Sequence, residues 1–522
     1  MTYNNKKNTS NIFVVACLLV SPSLIFGQEP NISDDDATVT YPASYFSQYQ
    51  LQSVSDMLDR IPGINVARQG GGNRGGPGSS QGSSRRGLGL GGDQVLINGR
   101  RITGKENEGN SQLSRIPANQ VQRIEIIRGT SGELDVRGAT QLINIVLLET
   151  DTRSSFTYEV NADHLHDGEV KPGAKLSLSG QSGRFDYLIS GETEPRWANR
   201  KGFESSFLAN GTKNDTVSRR TITDQQPTTM SSNIGYQFSE NDVAHLNFQY
   251  NQNDAPEELD RVITDYLTSP PTIKSQFEDI SNESDFWELG GDYEHTFRGG
   301  NRWRGLFIIN QKKDDRTRER FDLNDNSQKD IFLKTFNQYE EEIFRTSYSM
   351  DLSERQDLEF GIERAKTTLE STLRLGLASQ GAPSSEFGNL VPSNTSNAVV
   401  EETRHEVFAI HNWRLSDRMS LESTIIYEES TIRQTGDISK ERDFSFIRPK
   451  VDYRFDITPS LQLRATIEKD VAQLSFNDFT ANIPPIGDDD QNTFAGNPDI
   501  RQEQSWRYDL NLEYRFNEDN GV

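Results

Sequence analysis

The side chains that most often bind metals or carry out catalysis are few in this chain and widely spaced. Its six histidines are His164, His166, His245, His295, His405 and His411. His164 and His166 would point to the same side of a β-strand, as a metal-binding pair does. No third ligand follows nearby in the sequence, so we interpret both as polar residues of a loop or a lumen. The sequence therefore predicts no metal site.

Three acidic clusters could bind Ca²⁺ or favour cationic ligands: Glu257 to Asp260, Glu340 to Glu342, and Asp488 to Asp490. Runs of like charge are more often simply solvated, and we predict this for all three. The sequence has no Ser-His-Asp order, no paired catalytic carboxylates and no metalloprotease helix in a supporting context. We therefore predict that the protein is not an enzyme, with no catalytic residue and no cofactor.

The composition restricts the class of protein further. The chain has 522 residues and a formal net charge of −23, which argues against nucleic-acid binding. Its mean hydropathy is −0.72. No run of about 18 apolar residues follows the N-terminus, which argues against a bundle of membrane-spanning helices. The low hydropathy does not exclude a transmembrane β-barrel, because strands in which apolar and polar residues alternate score weakly on hydropathy.

Residues 1–27 have the pattern of a secretory signal peptide, with Lys6 and Lys7 before an apolar core and a predicted cleavage near Gly27. A lipoprotein cleavage box at Cys17 is the alternative, but the apolar core before Cys17 is too short and continues past it. Cys17 is the only cysteine. Removal of the signal would leave no thiol for disulfides or metal binding.

From about Phe156 onward, apolar and polar residues alternate along the chain. The clearest example is the run of alternate apolar residues Trp506, Tyr508, Leu510, Leu512, Tyr514 and Phe516. A strand with this period presents an apolar face to one medium and a polar face to another. The pattern predicts an antiparallel transmembrane β-barrel over residues 151–522.

A soluble β-sandwich uses the same alternation, so the spacing of the turns must decide between the two folds. Short turns near residues 183, 240, 299, 355, 417 and 458 alternate with long polar stretches at 194–230, 254–284, 314–341, 370–403 and 471–504. Outer-membrane barrels have short turns at one end and long loops at the other. Aromatic residues gather at the short-turn ends, as in an interfacial girdle. The sequence favours the barrel.

Residues 51–150 have a different character and predict a small mixed α/β unit. Ser53 can cap a helix that Pro62 and Gly63 terminate. Asn98-Gly99 lies between two apolar strands and forms the favoured two-residue hairpin turn, because both positions need φ > 0. Further apolar segments supply buried strands.

These pieces, in this order, resemble the plug domain of TonB-dependent outer-membrane receptors. The family pattern runs roughly D-L-L-x-x-x-P-G-V, L-I-D-G, I-x-R-I-E-V-x-R-G-P and G-x-I-N-I. The matching residues are Pro62, Gly63, Asn98, Gly99, Arg123, Glu125, Arg128, Gly129 and Asn144. The sequence departs from the pattern between Gly129 and Gly138, where the Pro and Tyr of the family are missing.

The resemblance implies an N-terminal α/β plug domain, residues 51–150, inside a transmembrane β-barrel. We count about fifteen strands in the sequence, against roughly twenty-two expected for the family. Asn497-Pro498-Asp499 resembles a family segment that lies well inside the barrel. We therefore predict an incomplete barrel whose C-terminal strands are missing, with an open sheet edge.

The predicted periplasmic segment, residues 28–50, contains a run that resembles the TonB box. This box is an extended segment that pairs by strand addition with the energy-transducing protein TonB. The run is Asp36, Ala37, Thr38, Val39, Thr40 and Tyr41. Its β-branched residues suit an added strand. An ordinary disordered linker is the alternative interpretation.

The resemblance implies a receptor of the outer membrane that actively takes up a scarce ligand, such as a siderophore or an oligosaccharide. Its expected partners are TonB, the lipid of the outer membrane and the transported small molecule or oligosaccharide. A receptor used mainly for signalling is one alternative. The other is a secreted soluble β-rich protein, either an adhesin or a glycan-active protein.

Overall fold

The computed structural model describes residues 38–61 (without 48, 50 and 52), 94–101, 113–127 (without 114, 115 and 117), 142–148 and 152–521 (without 326, 459, 481–495 and 518–519). The predicted residues Pro62, Gly63, Arg128 and Gly129 of the plug, and Asp36 and Ala37 of the candidate TonB box, lie outside these described residues.

The plug is a five-stranded sheet with two short helices. Its helices are α1 (Ala43–Phe46) and α2 (Val54–Leu58), and its strands are β1 (Thr38–Pro42), β2 (Gln94–Ile97), β3 (Arg100–Arg101), β4 (Val121–Ile127) and β5 (Leu142–Leu147). The strand order is β1-β4-β5-β2-β3, in which only β2 and β5 are parallel. The sheet thus begins at Thr38, thirteen residues before the predicted start of the plug at Leu51.

Helix α2 forms as the sequence predicts. The Ser53 hydroxyl accepts a hydrogen bond from the Asp56 amide at 3.3 Å, and the Asp56 carboxylate accepts one from the Ser53 amide at 3.0 Å. This reciprocal capping box satisfies two amides that the first turn leaves free. The apolar face of the helix, including Val54 and Leu58, is buried in one core with Ile124 and Ile145 of the sheet.

The remaining strands form one antiparallel sheet that curves into a barrel. They are β6 (Thr152–His164), β7 (Val170–Ser182), β8 (Phe185–Thr193), β9 (Arg196–Phe207), β10 (Lys213–Gln237), β11 (Asp242–Asp254), β12 (Glu257–Asp265), β13 (Thr272–Thr296), β14 (Arg302–Asp322), β15 (Gln328–Ser353), β16 (Gln356–Leu377), β17 (Val391–Ser416), β18 (Met419–Gly436), β19 (Lys440–Thr458), β20 (Leu461–Val471), β21 (Gln504–Asn517) and β22 (Asn520–Gly521).

At two places in the barrel wall, two short strands lie end to end where one long strand would otherwise stand. β8 and β9 both pair with β10, and β11 and β12 both pair with β10 and β13. The breaks fall at Pro195 and Pro256, because proline has no N–H to donate to the ladder. The prediction of about fifteen strands agrees with this count. The order of described strands places the two-residue β22 next to β6, but no residue pairs join β21 or β22 to β6 among the described residues, so the open edge stays a prediction.

The polar stretches that the sequence analysis assigns to long loops are mostly paired strands. β13, β15 and β17 contain 25, 26 and 26 residues. A tilted strand crosses a membrane with about 10 residues, so these strands continue well beyond it. The outer face is polar there and the inner face mixes polar residues with buried apolar ones such as Leu369 and Val400, so the alternation is weak and the sequence resembles a loop. Among the described residues, the segments 378–390, 472–480 and 496–503 are the main exceptions.

The predicted short turns are present at one end of the barrel, but the prediction of long loops at the other end is wrong for several connections, because only three to five residues join β6 to β7, β9 to β10 and β18 to β19 there. Short turns join β7 to β8, β10 to β11, β13 to β14, β15 to β16, β17 to β18 and β19 to β20. The plug connects at this end, because Thr152 at the start of β6 lies opposite Ser182 at the end of β7. Exposed aromatic side chains mark the same end, among them Tyr236, Phe238 and Trp303. In the described part of the chain, no helix has the length and apolarity needed to cross a membrane.

Candidate functional site

The predicted hairpin turn of the plug is built by two residues with left-handed backbone. Asn98 has φ 51° and Gly99 has φ 77°, as a two-residue turn of this kind requires. The Asn98 side chain accepts a hydrogen bond from the Leu147 amide at 2.8 Å, so it ties the turn to strand β5. The turn is therefore fixed by its own backbone and by its neighbour in the sheet.

A polar chain runs from this turn across the sheet. The Asn144 side chain accepts a bond from the Gly99 amide at 2.7 Å and donates one to Glu125 at 2.7 Å. Glu125 also accepts a bond from the Arg123 guanidinium at 2.6 Å. Asn144 is only 4% exposed, so each bond it makes replaces one to water. A hydrogen bond to a charged group of this kind stabilises by about 1.5–3 kcal/mol.

The polar chain ends beside the candidate TonB box. Thr40 of β1 lies directly opposite Glu125 of β4. Tyr41 packs edge-on against Tyr45 with ring centroids 5.1 Å apart, and Tyr45 packs in the same way on the buried Phe46. The segment that the sequence analysis places before the plug is thus the first strand at the edge of the plug sheet, anchored by an aromatic cluster.

The plug contacts the inner wall of the barrel close to this sheet. The Gln120 side chain donates a hydrogen bond to the Ser179 hydroxyl of β7 at 2.6 Å. Leu188 of β8 packs against the apolar core of the plug. Strands β7 and β8 of the barrel wall thus pack against the plug and cover part of its surface.

The inner wall carries buried charges where a soluble protein would have an apolar core. Arg404 is 2% exposed, and its guanidinium nitrogens lie 3.3 Å from a Glu363 oxygen and 3.1 Å from a Glu406 oxygen. Arg448 lies 3.5 Å from both Glu406 and Glu428. Buried charges are tolerated when they are paired in this way. Sequence reasoning missed this cluster, because its members come from four strands.

The upper lumen is partly filled by residues 472–480 and 496–503, which lie between β20 and β21. Phe476 and Phe479 are buried against Leu369, Val400 and Ile432 of the inner wall. Further contacts of the segment are from Tyr339 to Asn477 at 2.5 Å, from Gln434 to the Phe479 carbonyl at 3.0 Å, and between Lys440 and Asp499. The charge of Lys440 and its hydrogen bond lower the pKa of Asp499.

The outer wall is apolar in a belt just above the short turns. Leu246, Phe344, Ile362, Val407 and Ile425 are between 46% and 56% exposed. An exposed apolar surface of this extent marks contact with lipid or another apolar partner. Together with the polar lumen, it has the arrangement of a membrane-spanning barrel.

Comparison with known families assigns both parts of the molecule. The model of the TonB-dependent receptor plug domain matches residues 32–141. The model of the TonB-dependent receptor-like β-barrel matches residues 232–521, which is more than half of the chain. The chain belongs to the TonB-dependent receptors. Such receptors bind small-molecule ligands and interact with TonB, and this receptor functions in ligand uptake at the outer membrane.

Solved structures resemble the receptor in fold at low sequence identity. The copper transporter OprC is 12% identical, with a TM-score of 0.50 over 93% of this chain and 70% of that one. The siderophore receptor PiuA from Acinetobacter baumannii is 11% identical, with a TM-score of 0.44 over 94% and 73%. The alcaligin receptor FauA from Bordetella pertussis is 12% identical, with a TM-score of 0.41 over 94% and 68%. The receptor spans 60% to 73% of the lengths of five such structures.

Five of the nine predicted plug residues can be located, and the structure brings them together. Asn98, Gly99, Asn144, Glu125 and Arg123 form the single hydrogen-bonded chain described above. Within the described residues, no group of three or more His, Cys, Asp or Glu side chains is arranged to hold a metal ion.

Proposed function

We propose that the receptor takes up a scarce small molecule by an energy-coupled movement of the plug, and that TonB contacts the segment from Asp36 to Tyr41. The observation that carries this proposal is the position of β1 at the edge of the plug sheet. Edge strands present unpaired backbone groups that another chain can bind by strand addition. The family consists of transporters, so we propose that the receptor acts without catalysing a reaction.

The pairing of β1 with β4 indicates how a pulling force from TonB would act on the plug. Tension from the periplasm arrives at Thr38, the first residue of β1, and separates its backbone pairs with β4 one after another. The pairs run from Thr38 opposite Ile127 to Pro42 opposite Arg123. Loss of β1 exposes Glu125 and with it the polar chain to Asn144 and the hairpin turn. The movement of one edge strand thereby reaches the middle of the sheet.

The domain boundaries follow from the same geometry. We keep residues 1–27 as the proposed signal peptide and 151–522 as the proposed barrel. We move the start of the plug from Leu51 to Thr38, because β1 belongs to its sheet. The periplasmic segment then becomes residues 28–37.

A cysteine staple between β1 and β4 tests the coupling. Thr38→Cys and Ile127→Cys place thiols on directly opposed residues, whose Cα atoms are about 4.5–5.5 Å apart in antiparallel pairs. This separation suits a disulfide. We expect the oxidised double variant to reach the membrane but to lose uptake, and reduction to restore it. Each single-cysteine variant is the control, and undiminished uptake by the oxidised receptor would refute the proposed movement.

The ligand class is tested by growth. We propose that the ligand is a siderophore or an oligosaccharide, the two classes that membership of the TonB-dependent receptors suggests. A strain lacking the receptor should lose growth on one source in a panel of iron compounds and glycans. Growth equal to the parent strain on every source would contradict the uptake of either class.

A further inference from the structure

The outer wall of the barrel contains a continuous groove that ligand uptake through the lumen does not use. Its volume is about 930 Å³. The upper side is a row of cross-strand neighbours on seven strands: Ile234, Leu246, Gly291, Phe307, Phe344, Arg364 and His405. The lower side is the row two residues nearer the short turns: Tyr236, Ala244, Tyr293, Gly305, Thr346, Ile362 and Val407.

Small side chains make the groove deep. Gly291 lies buried in the middle of the upper row, Gly305 lies half-buried in the lower row, and Ala244 continues the lower row. The Phe307 ring lies so close to Gly291 that an added Cβ would approach its Cε1 atom to 2.8 Å. At Gly305, an added Cβ would be 3.4 Å from the Trp303 ring and would project into the groove.

The groove crosses the whole height of the apolar belt. Tyr236 at one end is one residue from the end of β10 at Gln237, whereas Val407 at the other end is nine residues from the end of β17 at Ser416. Both strands end at short turns, so the groove rises by about 26 Å along the strand direction between its two ends. Its β17 end therefore lies at the edge of the belt that faces away from the periplasm.

A free positive charge marks that upper end. Arg364 is exposed on the outer face, between Phe344 and His405 of the neighbouring strands. The neighbouring charges are Lys366, which pairs with Glu401 at 2.9 Å and lies opposite Glu342, and Glu429, which accepts a hydrogen bond from Tyr427 at 2.6 Å. No carboxylate among the described residues forms an ion pair with Arg364.

We propose that this groove binds one lipid of the outer leaflet, with an acyl chain along the groove and a phosphate of the headgroup at Arg364. The apolar residues of the two rows suit the acyl chain, and the Arg364 guanidinium matches the phosphate in charge and in donor geometry. The position of Arg364 at the upper edge of the belt is the level at which a headgroup lies. His405 supplies a second donor beside it.

Spin-labelled lipids test the proposal on the full chain in phosphatidylcholine bilayers. Phosphatidic acid and phosphatidylcholine with the same labelled acyl chain serve as probes, and the fraction of motionally restricted lipid is measured. One basic residue near a membrane surface contributes about 1 kcal/mol, so we expect about fivefold selectivity for phosphatidic acid. Arg364→Gln should abolish this selectivity. Arg433→Gln is the matched control, because Arg433 is exposed on the same outer face but pairs with Glu441 at 3.4 Å.

The acyl chain is tested separately by filling the groove. Gly305→Leu should reduce the restricted fraction of both probes, and Ala244→Phe is a second variant in case Gly305→Leu does not fold. The heat-dependent shift in electrophoresis verifies a closed barrel in each variant. Equal binding of the two lipids to the unaltered receptor would overturn the proposal, and so would an equal loss in Arg433→Gln. An unchanged restricted fraction in a folded groove-filling variant would also overturn it.

Discussion

The plug and the barrel are stabilised in opposite ways. The plug has an apolar core of residues such as Val54, Ile124 and Ile143, which are fully buried. The barrel buries charges such as Arg404 and Glu428 on its inner wall and exposes apolar residues such as Ile362 on its outer wall. Apolar burial drives the folding of the plug, whereas the barrel depends on its ladder of backbone hydrogen bonds and on lipid. The same residue type therefore has opposite roles in the two parts.

The largest expected effect comes from removing the first strand of the plug. A separate segment of residues 38–148 should be soluble and folded, whereas residues 51–148 lack β1 and the buried Phe46. Loss of one buried aromatic side chain alone costs about 3–5 kcal/mol, so we expect the shorter segment to be largely unfolded. Amide spectra of the two segments measure the difference. Equal dispersion in both spectra would show that β1 contributes little to the plug.

A charge on the outer wall sharpens the contrast with the plug. Ile425→Arg should destabilise the barrel by about 2–4 kcal/mol, because Ile425 is exposed on the outer wall in the row of Phe360, four residues below the level of Arg364, and its side chain would enter the apolar part of the membrane. Val399→Arg is the matched control. Val399 is also exposed on an outer face, but it lies on the part of β17 that extends above the belt. Denaturant titration in bilayers should show a large effect only for Ile425→Arg, and equal effects would contradict the position of the belt.

Substitutions in the hairpin turn measure how much the left-handed backbone at Asn98-Gly99 contributes to the stability of the plug. Replacement of Asn98-Gly99 by Val-Val forces branched residues into left-handed backbone. We expect a loss of about 2 kcal/mol in the stability of the segment 38–148. Ile97→Val, in the adjacent strand, is the control for a change of side chain without a change of turn. An unaltered midpoint of thermal unfolding in the Val-Val variant would refute the role of the turn.

The smallest effect concerns the rim of the barrel that faces away from the plug connection. Asp167, in the turn between β6 and β7, accepts bonds from the Trp197 indole at 2.8 Å and the Asn199 amide at 2.9 Å. These bonds lower the pKa of Asp167 from 3.8 to about 2. Their contribution is complete above pH 3.8 and is lost as the pH falls through about 2. The Trp197 indole N–H resonance should shift over that range, and Asp167→Asn should remove the titration.

The local features of the plug could be predicted because the signals are near in sequence. The capping box at Ser53 and the turn at Asn98-Gly99 each depend on residues within a few positions. The partner of β1 could not be predicted, because β4 lies about 80 residues away and a single sequence carries no record of that contact. The aromatic residues Tyr41, Tyr45 and Phe46 directly after the β-branched run were a signal that this segment is packed.

The barrel shows where hydrophobic periodicity fails as a guide. Alternation identifies the strands in the belt, where the two faces meet different media. It weakens in the upper parts of β13 to β17, where the outer face is polar and the inner face mixes polar residues with buried apolar ones such as Leu369, so these paired segments resemble loops in the sequence. The buried ion pairs around Arg404 could not be predicted, because their partners are set by the register between strands.

The long strands also determine how the mouth of the receptor meets its ligand. A strand of 26 residues, such as β15, rises about 65 Å at the tilt of such barrels, far more than the membrane requires. The wall around the upper lumen is therefore already ordered before any ligand arrives. Binding there loses little conformational entropy, whereas flexible loops would have to be ordered at each encounter. For a ligand bound there, the height of the wall serves as preorganisation and holds the ligand well outside the lipid surface.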